Sequence, residues 1–211
     1  MTKACMAMNE KEISKEIRSL KSVRTLLEEK VGSEETEAIF ADGERRILEA
    51  WKKYEGVSSE LEYHLKKIIP RACIYNAIKE KYPENALNII KEATFGKAEQ
   101  AARGLQKVTR LPGAKILFIR IFEFMTRKMF GEKAGFKNVF YDSEKNEFKM
   151  DITECPYCRY FAELDAPELA QYSCDCDDIV YGKLSGIDFI RTQTLAKGGS
   201  KCDFDIRLSD K

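Results

Sequence analysis

Histidine is almost missing from this sequence. The 211 residues include a single one, His64. Catalytic sites that need several imidazoles, such as the zinc centres of HExxH metalloproteases, are therefore excluded. A cysteine–histidine nucleophile pair would require His64 to lie beside a cysteine in the folded chain.

The sequence also lacks a long apolar run and an excess of charge. No segment approaches the ~18 apolar residues of a transmembrane helix, and the N-terminal stretch has no run typical of a signal peptide. Lys and Arg total 36 against 35 Asp and Glu, so composition predicts no attraction to nucleic acid or to an anionic membrane. We expect a cytoplasmic protein, whose thiols would be kept reduced.

Helical periodicity fills the first half of the chain. Apolar residues recur at helical spacing from residue 9 to about 107, which predicts a series of amphipathic helices. The first is expected over 9–31. Pro70 is expected to break or restart a helix, and Pro83 suits a first helical turn.

Residues 114–130 are the most apolar stretch. Their hydrophobic side chains go most of the way round a helix, so we expect this to be the central buried helix of the fold. Such an apolar helix would also permit an interface between copies of the chain, so a homo-oligomer remains open.

The period then changes from helical to two. Residues 139–152 predict a β-hairpin with its turn at 142–146, and short helices are expected around 157–164 and 166–181. A second hairpin is expected, with strands 187–195 and 201–208. This pattern predicts an α+β fold, an N-terminal helical bundle packed on a C-terminal antiparallel sheet built from hairpins. We expect a single domain over 1–211, with a helical part (1–131) and a part with the hairpins and a cysteine-rich site (136–208).

The second hairpin brings polar groups onto an apolar face. A four-residue loop at 197–200 would pair Leu195 with Cys202, and Arg191, Gln193 and Cys202 would then lie near one another on the side that faces the core. Polar groups in such a place need partners or a cavity. The pattern therefore predicts a small pocket for a polar ligand.

Cysteine is concentrated in the last quarter of the chain. Five of the seven cysteines lie there, in the sequences CPYC (Cys155, Cys158), CDCDD (Cys174, Cys176) and CDF (Cys202). Such a set could ligate zinc or an iron–sulfur cluster. CPYC also resembles the redox pair of glutaredoxins. Buried, unreactive cysteine is the alternative for each thiol, and it is favoured for Cys5 and Cys73.

The same region resembles a known family. The residues that carry the likeness are Cys155-Pro156-Tyr157, Pro167-Glu168-Leu169, Cys174, Asp177, Arg191-Thr192-Gln193-Thr194-Leu195, Gly198 and Cys202-Asp203-Phe204. Over about 136–208 they resemble the C-terminal signature of the L-2-amino-thiazoline-4-carboxylic acid hydrolase family. A more distant likeness is to four-vinyl-reductase-type small-molecule-binding domains. Cys158 and Cys176 are additional to the family pattern, and Lys201 stands where a histidine is frequent.

The resemblance implies a hydrolase that opens a cyclic amidine or isothiourea, such as L-2-amino-thiazoline-4-carboxylate. The product would be a carbamoyl-cysteine, on the way to cysteine, and a C–N or C–S bond would break. Cys174 or Cys202 would attack as a thiolate, while Asp177 would stabilise the amidinium and move protons. Arg191 would bind the substrate carboxylate, and Gln193 and Thr194 would hydrogen-bond the rest.

A metal version of the site stays open beside this one. In it Cys155, Cys174, Cys202 and Asp177 would hold a zinc ion that activates water. The alternative function is a non-catalytic small-molecule-binding or sensor domain with a cysteine-ligated structural zinc. In every version, the expected partner is a small molecule.

Overall fold

The computed structural model describes residues 10–142 and 144–209, with side chains from residue 15 onward. Within these ranges it contains eight α-helices and one four-stranded antiparallel sheet, which confirms the α+β class. The helices are α1 (Glu10–Ser19), α2 (Lys21–Val31), α3 (Ser33–Lys52), α4 (Ser59–Lys81), α5 (Ala86–Thr109), α6 (Ala114–Met129), α7 (Pro156–Glu163) and α8 (Glu168–Tyr181). The strands are β1 (Lys137–Phe140), β2 (Glu147–Glu154), β3 (Ile187–Ile190) and β4 (Cys202–Leu208).

The chain divides into two compact units. One contains Met1–Thr94 with Tyr157–Ala170, and the other contains Phe95–Pro156 with Gln171–Lys211. The expectation of a single domain stays a prediction. Cys5 lies outside the described residues. No helix in the described ranges has the length and apolarity needed to cross a bilayer.

The first unit has α3 and α4 at its core. Gly43 of α3 lies so close to α4 that a Cβ at this position would be 2.3 Å from Cδ1 of Ile74. A side chain at this position would have to displace the buried Ile74 side chain, so glycine favours this close approach of the two helices. His64 is also buried here, with Nδ1 3.3 Å from the hydroxyl of Tyr157.

The predicted helix over 9–31 is in fact two helices. The hydroxyl of Ser19 donates to the Glu16 carbonyl at 2.5 Å. In a continuous helix the Glu16 carbonyl would accept the backbone N–H of Leu20. Here the Leu20 N–H donates to the carbonyl of Ile17 instead, at 2.9 Å. A side chain that competes for the backbone in this way explains the break.

The prediction that Pro70 breaks a helix was wrong, because α4 continues through it from Ser59 to Lys81. Proline inside a helix costs about 3 kcal/mol. Burial of the apolar residues on both sides, among them Ile69 and Ile74, offsets this cost. Pro83 lies in the turn before α5, three residues ahead of Ala86, rather than in its first helical turn.

The second unit is built on the sheet, whose strand order is β1-β2-β4-β3. Aromatic residues of α6 and α8 pack on one of its faces. Phe122 of α6 lies 6.1 Å from Phe148 of β2 and 5.3 Å from Tyr181 of α8, and Tyr181 lies 5.6 Å from Phe189 of β3. Both predicted hairpins are present as antiparallel pairs, β1–β2 and β3–β4.

The register of the second hairpin differs from the prediction by two residues. Phe189 pairs with Ile206, and β3 ends at Ile190, so the expected pairing of Leu195 with Cys202 does not form. The Asp203 carboxylate accepts the N–H groups of Thr192 and Gln193, which are then unavailable to the ladder. A shift of two residues keeps each side chain on its predicted face.

The prediction that 114–130 is the central buried helix was also wrong. Only Ile119 and Thr126 of α6 are buried, whereas Leu117 and Phe124 are 60% and 65% exposed. The apolar residues go round the helix, but the sheet covers only one side of it.

Candidate functional site

The segment 191–201 connects β3 to β4, and we call it the RTQTL loop. Its first residues are held by Asp203, whose Oδ1 accepts the backbone N–H groups of Thr192 and Gln193, each at 2.9 Å. Burial alone would raise the pKa of Asp203, but these bonds and one from the Thr192 hydroxyl lower it below its ordinary value. Asp203 is therefore an ionised anchor of the loop.

The remainder of the loop is a tight turn. The Thr194 hydroxyl, which is buried, accepts the Lys197 N–H at 3.2 Å, and Oε1 of Gln193 accepts the Ser200 N–H at 3.0 Å. A Cβ at Gly199 would lie 2.9 Å from Gln193 Oε1. Gly198 has a φ of 83°, in the left-handed region. The two glycines thus allow the loop to fold back on Gln193.

Arg191 lies under this loop with its side chain only 2% exposed. Its guanidinium carbon is 5.5 Å from the ring centre of Phe189 and 5.2 Å from that of Phe204. Its Nη2 donates to the carbonyl of Cys174 at 2.8 Å and to Asp178 at 2.5 Å. Arg191 therefore joins the start of the loop to α8 through stacking and charged hydrogen bonds.

Asp177 lies at the other guanidinium nitrogen. Its Oδ2 is 3.5 Å from Nη1 of Arg191, a buried nitrogen that makes no hydrogen bond within the described residues. Burial raises the pKa of Asp177 to about 6, with Asp178 acting in the same direction and Arg191 against it. The side chain nevertheless keeps 47% of its surface exposed. Asp177 combines a pKa near neutrality with access for water, as a general base requires.

A pocket of about 360 Å³ opens between the RTQTL loop and α8. Its size suits a small ligand, and its lining is polar. The residues around it are Asp178, Arg191, Thr192, Gln193, Thr194, Lys197, Gly198 and Gly199. Lys197 is its accessible cation: its ammonium lies 3.0 Å from Asp175 and 3.9 Å from Asp178, and its side chain is 44% exposed.

Three of the predicted thiols are electrostatic neighbours in this unit. Burial raises the pKa of Cys174 to about 12, and both Cys202 and Cys155 contribute to the shift. Burial also raises the pKa of Cys202, whose sulfur accepts the Leu195 N–H at 3.3 Å. Cys174 and Cys202 are therefore protonated thiols at neutral pH.

The described residues contain no group of three or more histidine, cysteine, aspartate or glutamate side chains arranged to hold a metal ion. No disulfide joins the six described cysteines. We therefore derive no step of the chemistry through zinc, and the metal version of the site stays a prediction.

The structure brings most of the predicted site residues into one unit. Asp177 and Arg191 are in contact, and Arg191, Gln193 and Thr194 line the pocket. Cys155 and Cys202 are electrostatic neighbours of Cys174, but neither these thiols nor Asp177 is among the residues that line the pocket. Cys158 belongs to the first unit, and Cys176 lies on α8.

Three residues at this site were missed by reasoning from the sequence. Asp178 and Lys197 line the pocket, and Asp203 anchors the loop. The sequence did contain a signal for Asp178: it is the last residue of the acidic CDCDD motif, and a buried arginine needs a carboxylate partner. Lys197 was taken only as part of a turn, and Asp203 was named in the family signature without a role, because the early end of β3 that brings the backbone of Thr192 and Gln193 to it was not predicted.

A family model matches residues 62–206, more than half of the chain, and its description is L-2-amino-thiazoline-4-carboxylic acid hydrolase. The match covers the helices from α4 onward and the whole of the site region. Searches of curated proteins and of solved structures give no match. The likeness to four-vinyl-reductase-type domains stays a prediction.

Proposed function

Because this chain belongs to the L-2-amino-thiazoline-4-carboxylic acid hydrolase family, we propose that it hydrolyses a small cyclic amidine or isothiourea that carries a carboxylate. L-2-amino-thiazoline-4-carboxylate is the model substrate. The observation that carries the proposal is Asp177, a carboxyl with a pKa of about 6 whose Oδ2 is 3.5 Å from Nη1 of the buried Arg191. Arg191, though not Asp177 itself, lines the pocket of about 360 Å³.

Water, rather than a thiol, is the nucleophile in this proposal. With a pKa of about 12, the Cys174 thiol is almost entirely protonated at pH 7. Asp177 is mostly ionised at that pH and reaches solvent, so it can take a proton from an attacking water molecule. The thiolate attack by Cys174 or Cys202 stays an alternative that the variants described below separate from this route.

The reaction balances with one water and two proton transfers through Asp177. Water adds to the ring carbon that lies between sulfur and nitrogen, and its first proton passes by way of the Asp177 carboxylate to the ring nitrogen. The tetrahedral intermediate then gives its hydroxyl proton to Asp177 and collapses to a carbonyl with cleavage of the ring C–S or C–N bond, and Asp177 passes this second proton to the departing sulfur or nitrogen. The product is a carbamoyl-cysteine, with no other reactant consumed.

Arg191 acts mainly on Asp177 and Asp178 in this scheme. Its side chain is 2% exposed and already bonded through Nη2, so its principal effect is to hold the two carboxyls in place. We propose that Lys197 takes the substrate carboxylate at the mouth of the pocket, with Gln193 and Thr194 on the wall beside it.

Turnover of L-2-amino-thiazoline-4-carboxylate, followed by mass spectrometry of carbamoyl-cysteine, tests the proposal. Asp177→Asn should lower kcat by about a hundredfold or more, since it removes the base without changing its shape. Asp142→Asn, an exposed aspartate of the same unit, is the matched control and should leave kcat unchanged. Absence of ring opening by the wild type, or full activity of Asp177→Asn, would contradict the proposal.

A further inference from the structure

The solvent side of α6 carries a row of large apolar side chains. Leu117, Ile121 and Phe124 recur at helical spacing and are 60%, 53% and 65% exposed. Ile116 and Met125 flank them, at 46% and 42% exposed. We call these five residues the α6 face. Scattered exposed apolar residues are ordinary, but a contiguous set marks an interaction surface.

Packing of the opposite side fixes this orientation. Ile119 and Thr126 are buried, and Phe118 and Phe122 lie 6.4 Å and 5.3 Å from the ring of Tyr181. A rotation of α6 that buried Phe124 would therefore break the contacts of Phe118 and Phe122 with Tyr181. The α6 face is a stable feature of this unit.

The segment that contains the α6 face carries charge almost entirely of one sign. Between residues 107 and 128 the sequence contains one acidic residue, Glu123, which is already paired with Arg120 at 2.6 Å and Arg127 at 3.0 Å. The basic residues in the same range are Lys107, Arg110, Lys115, Arg120, Arg127 and Lys128. The net charge of the whole chain is only +1, so this local excess of basic residues is not visible in the overall composition.

One exposed basic residue, Lys128, continues the apolar row of the α6 face. Lys128 follows Phe124 by four residues and so lies one turn further along the same side of α6. A second copy of this face would bring basic residues opposite basic residues, which is unfavourable. A partner surface that is both negatively charged and able to accept apolar side chains would be complementary to the basic residues and to the apolar row.

We propose that the α6 face lies on the surface of an anionic lipid bilayer. Helices that lie in a membrane interface have this combination of apolar residues on one side and Lys or Arg beside them. The apolar side chains enter the boundary between headgroups and acyl chains, while the long basic side chains reach the lipid phosphates. This is binding to a surface, and it is independent of the proposed hydrolase activity.

Co-sedimentation of the full chain with vesicles tests the proposal. We expect binding to vesicles of equal parts phosphatidylcholine and phosphatidylserine, little binding to pure phosphatidylcholine, and weaker binding at high salt. The double variant Ile121→Ser, Phe124→Ser should lower the partition coefficient at least about tenfold. Lys128→Ala should lower it about fivefold, the change that corresponds to about 1 kcal/mol per basic residue.

Matched controls come from α3. Leu48 is 44% exposed and Lys52 is exposed, so Leu48→Ser and Lys52→Ala make the same chemical changes elsewhere. Both should bind vesicles as the wild type does. Unchanged melting temperatures would show that the α6 variants are folded.

Three results would overturn the proposal. The first is equal binding to neutral and anionic vesicles, or to neither. The second is self-association of the wild type that Phe124→Ser abolishes in the absence of lipid, which would assign the face to contacts between copies. The third is binding to polyglutamate but not to anionic vesicles, which would assign the face to an acidic protein.

Discussion

Oδ2 of Asp177 lies 3.5 Å from Nη1 of Arg191, and this nitrogen is buried without a hydrogen bond in the described part of the chain. The distance is too long for a full hydrogen bond, so Arg191 stabilises the ionised carboxylate only in part. Burial outweighs this attraction, and the pKa of Asp177 therefore rises to about 6.

The pH dependence of catalysis should follow this pKa. The ionised form of Asp177 is the base, so kcat/KM should increase as the pH rises through about 6 and then level off. The measurement is the pH–rate profile of the wild type. In Asp177→Asn this acidic limb should be absent from the residual activity, and its persistence would assign the limb to another group.

The same pKa should affect stability in the opposite direction. Asp177 holds its proton more tightly when folded, since its ordinary pKa is 3.8. Its contribution to stability is therefore fully present below about pH 3.8 and is lost as the pH rises through about 6. Relative to the wild type, Asp177→Asn should gain stability between pH 4 and pH 7, as chemical denaturation at the two pH values would measure. A constant difference between the two proteins would contradict the raised pKa.

Removal of the Arg191 charge should destabilise the second unit. Arg191→Met keeps much of the packing between Phe189 and Phe204 but removes the guanidinium from Asp177 and Asp178, of which Asp178 keeps Lys197 at 3.9 Å. Because the side chains of both carboxylates are almost half exposed, we expect a loss of about 2 kcal/mol in the free energy of unfolding, as for loss of a hydrogen bond between charged groups. Arg207→Met is the control: this arginine is 42% exposed and 3.5 Å from Asp205, so its loss should cost less than about 1 kcal/mol. Equal effects would mean that the Arg191 pair is no more than a surface ion pair.

Asp203 should act on substrate binding through the RTQTL loop. Asp203→Ala removes the acceptor for two backbone N–H groups, so it should raise KM and cost about 1–2 kcal/mol of stability. Asp203→Asn keeps one oxygen acceptor and should have a smaller effect on both quantities. A fall in kcat with unchanged KM would contradict a role in positioning the loop.

Lys197 should recognise the substrate carboxylate. Lys197→Met is expected to raise KM for the carboxylate substrate about tenfold, as for loss of a charged hydrogen bond. With 2-aminothiazoline, a substrate lacking the carboxylate, the same variant should change KM little. An equal effect on both substrates would show that Lys197 acts on the fold of the loop instead.

The thiols should be dispensable if water is the nucleophile. Cys174→Ala should keep most of the wild-type kcat, because the thiol is protonated at neutral pH and takes no part in the proposed step. Labelling with iodoacetamide at pH 7 should accordingly be slow at this residue. A loss as large as that of Asp177→Asn would instead support attack by the Cys174 thiolate.

The sequence by itself determined the α+β class, the two hairpins and the faces of their strands, because periodicity depends on local spacing. It also determined the family, whose signature residues are contiguous in short blocks. Only the tertiary structure decided that Pro70 lies within a continuous helix and that α6 exposes much of its apolar surface. Whether flanking residues are buried, and whether a neighbouring layer covers a helix, depends on residues distant in the chain. The pairing of Arg191 with Asp177 and Asp178 is of the same kind, since β3 and α8 meet only when the sheet has formed.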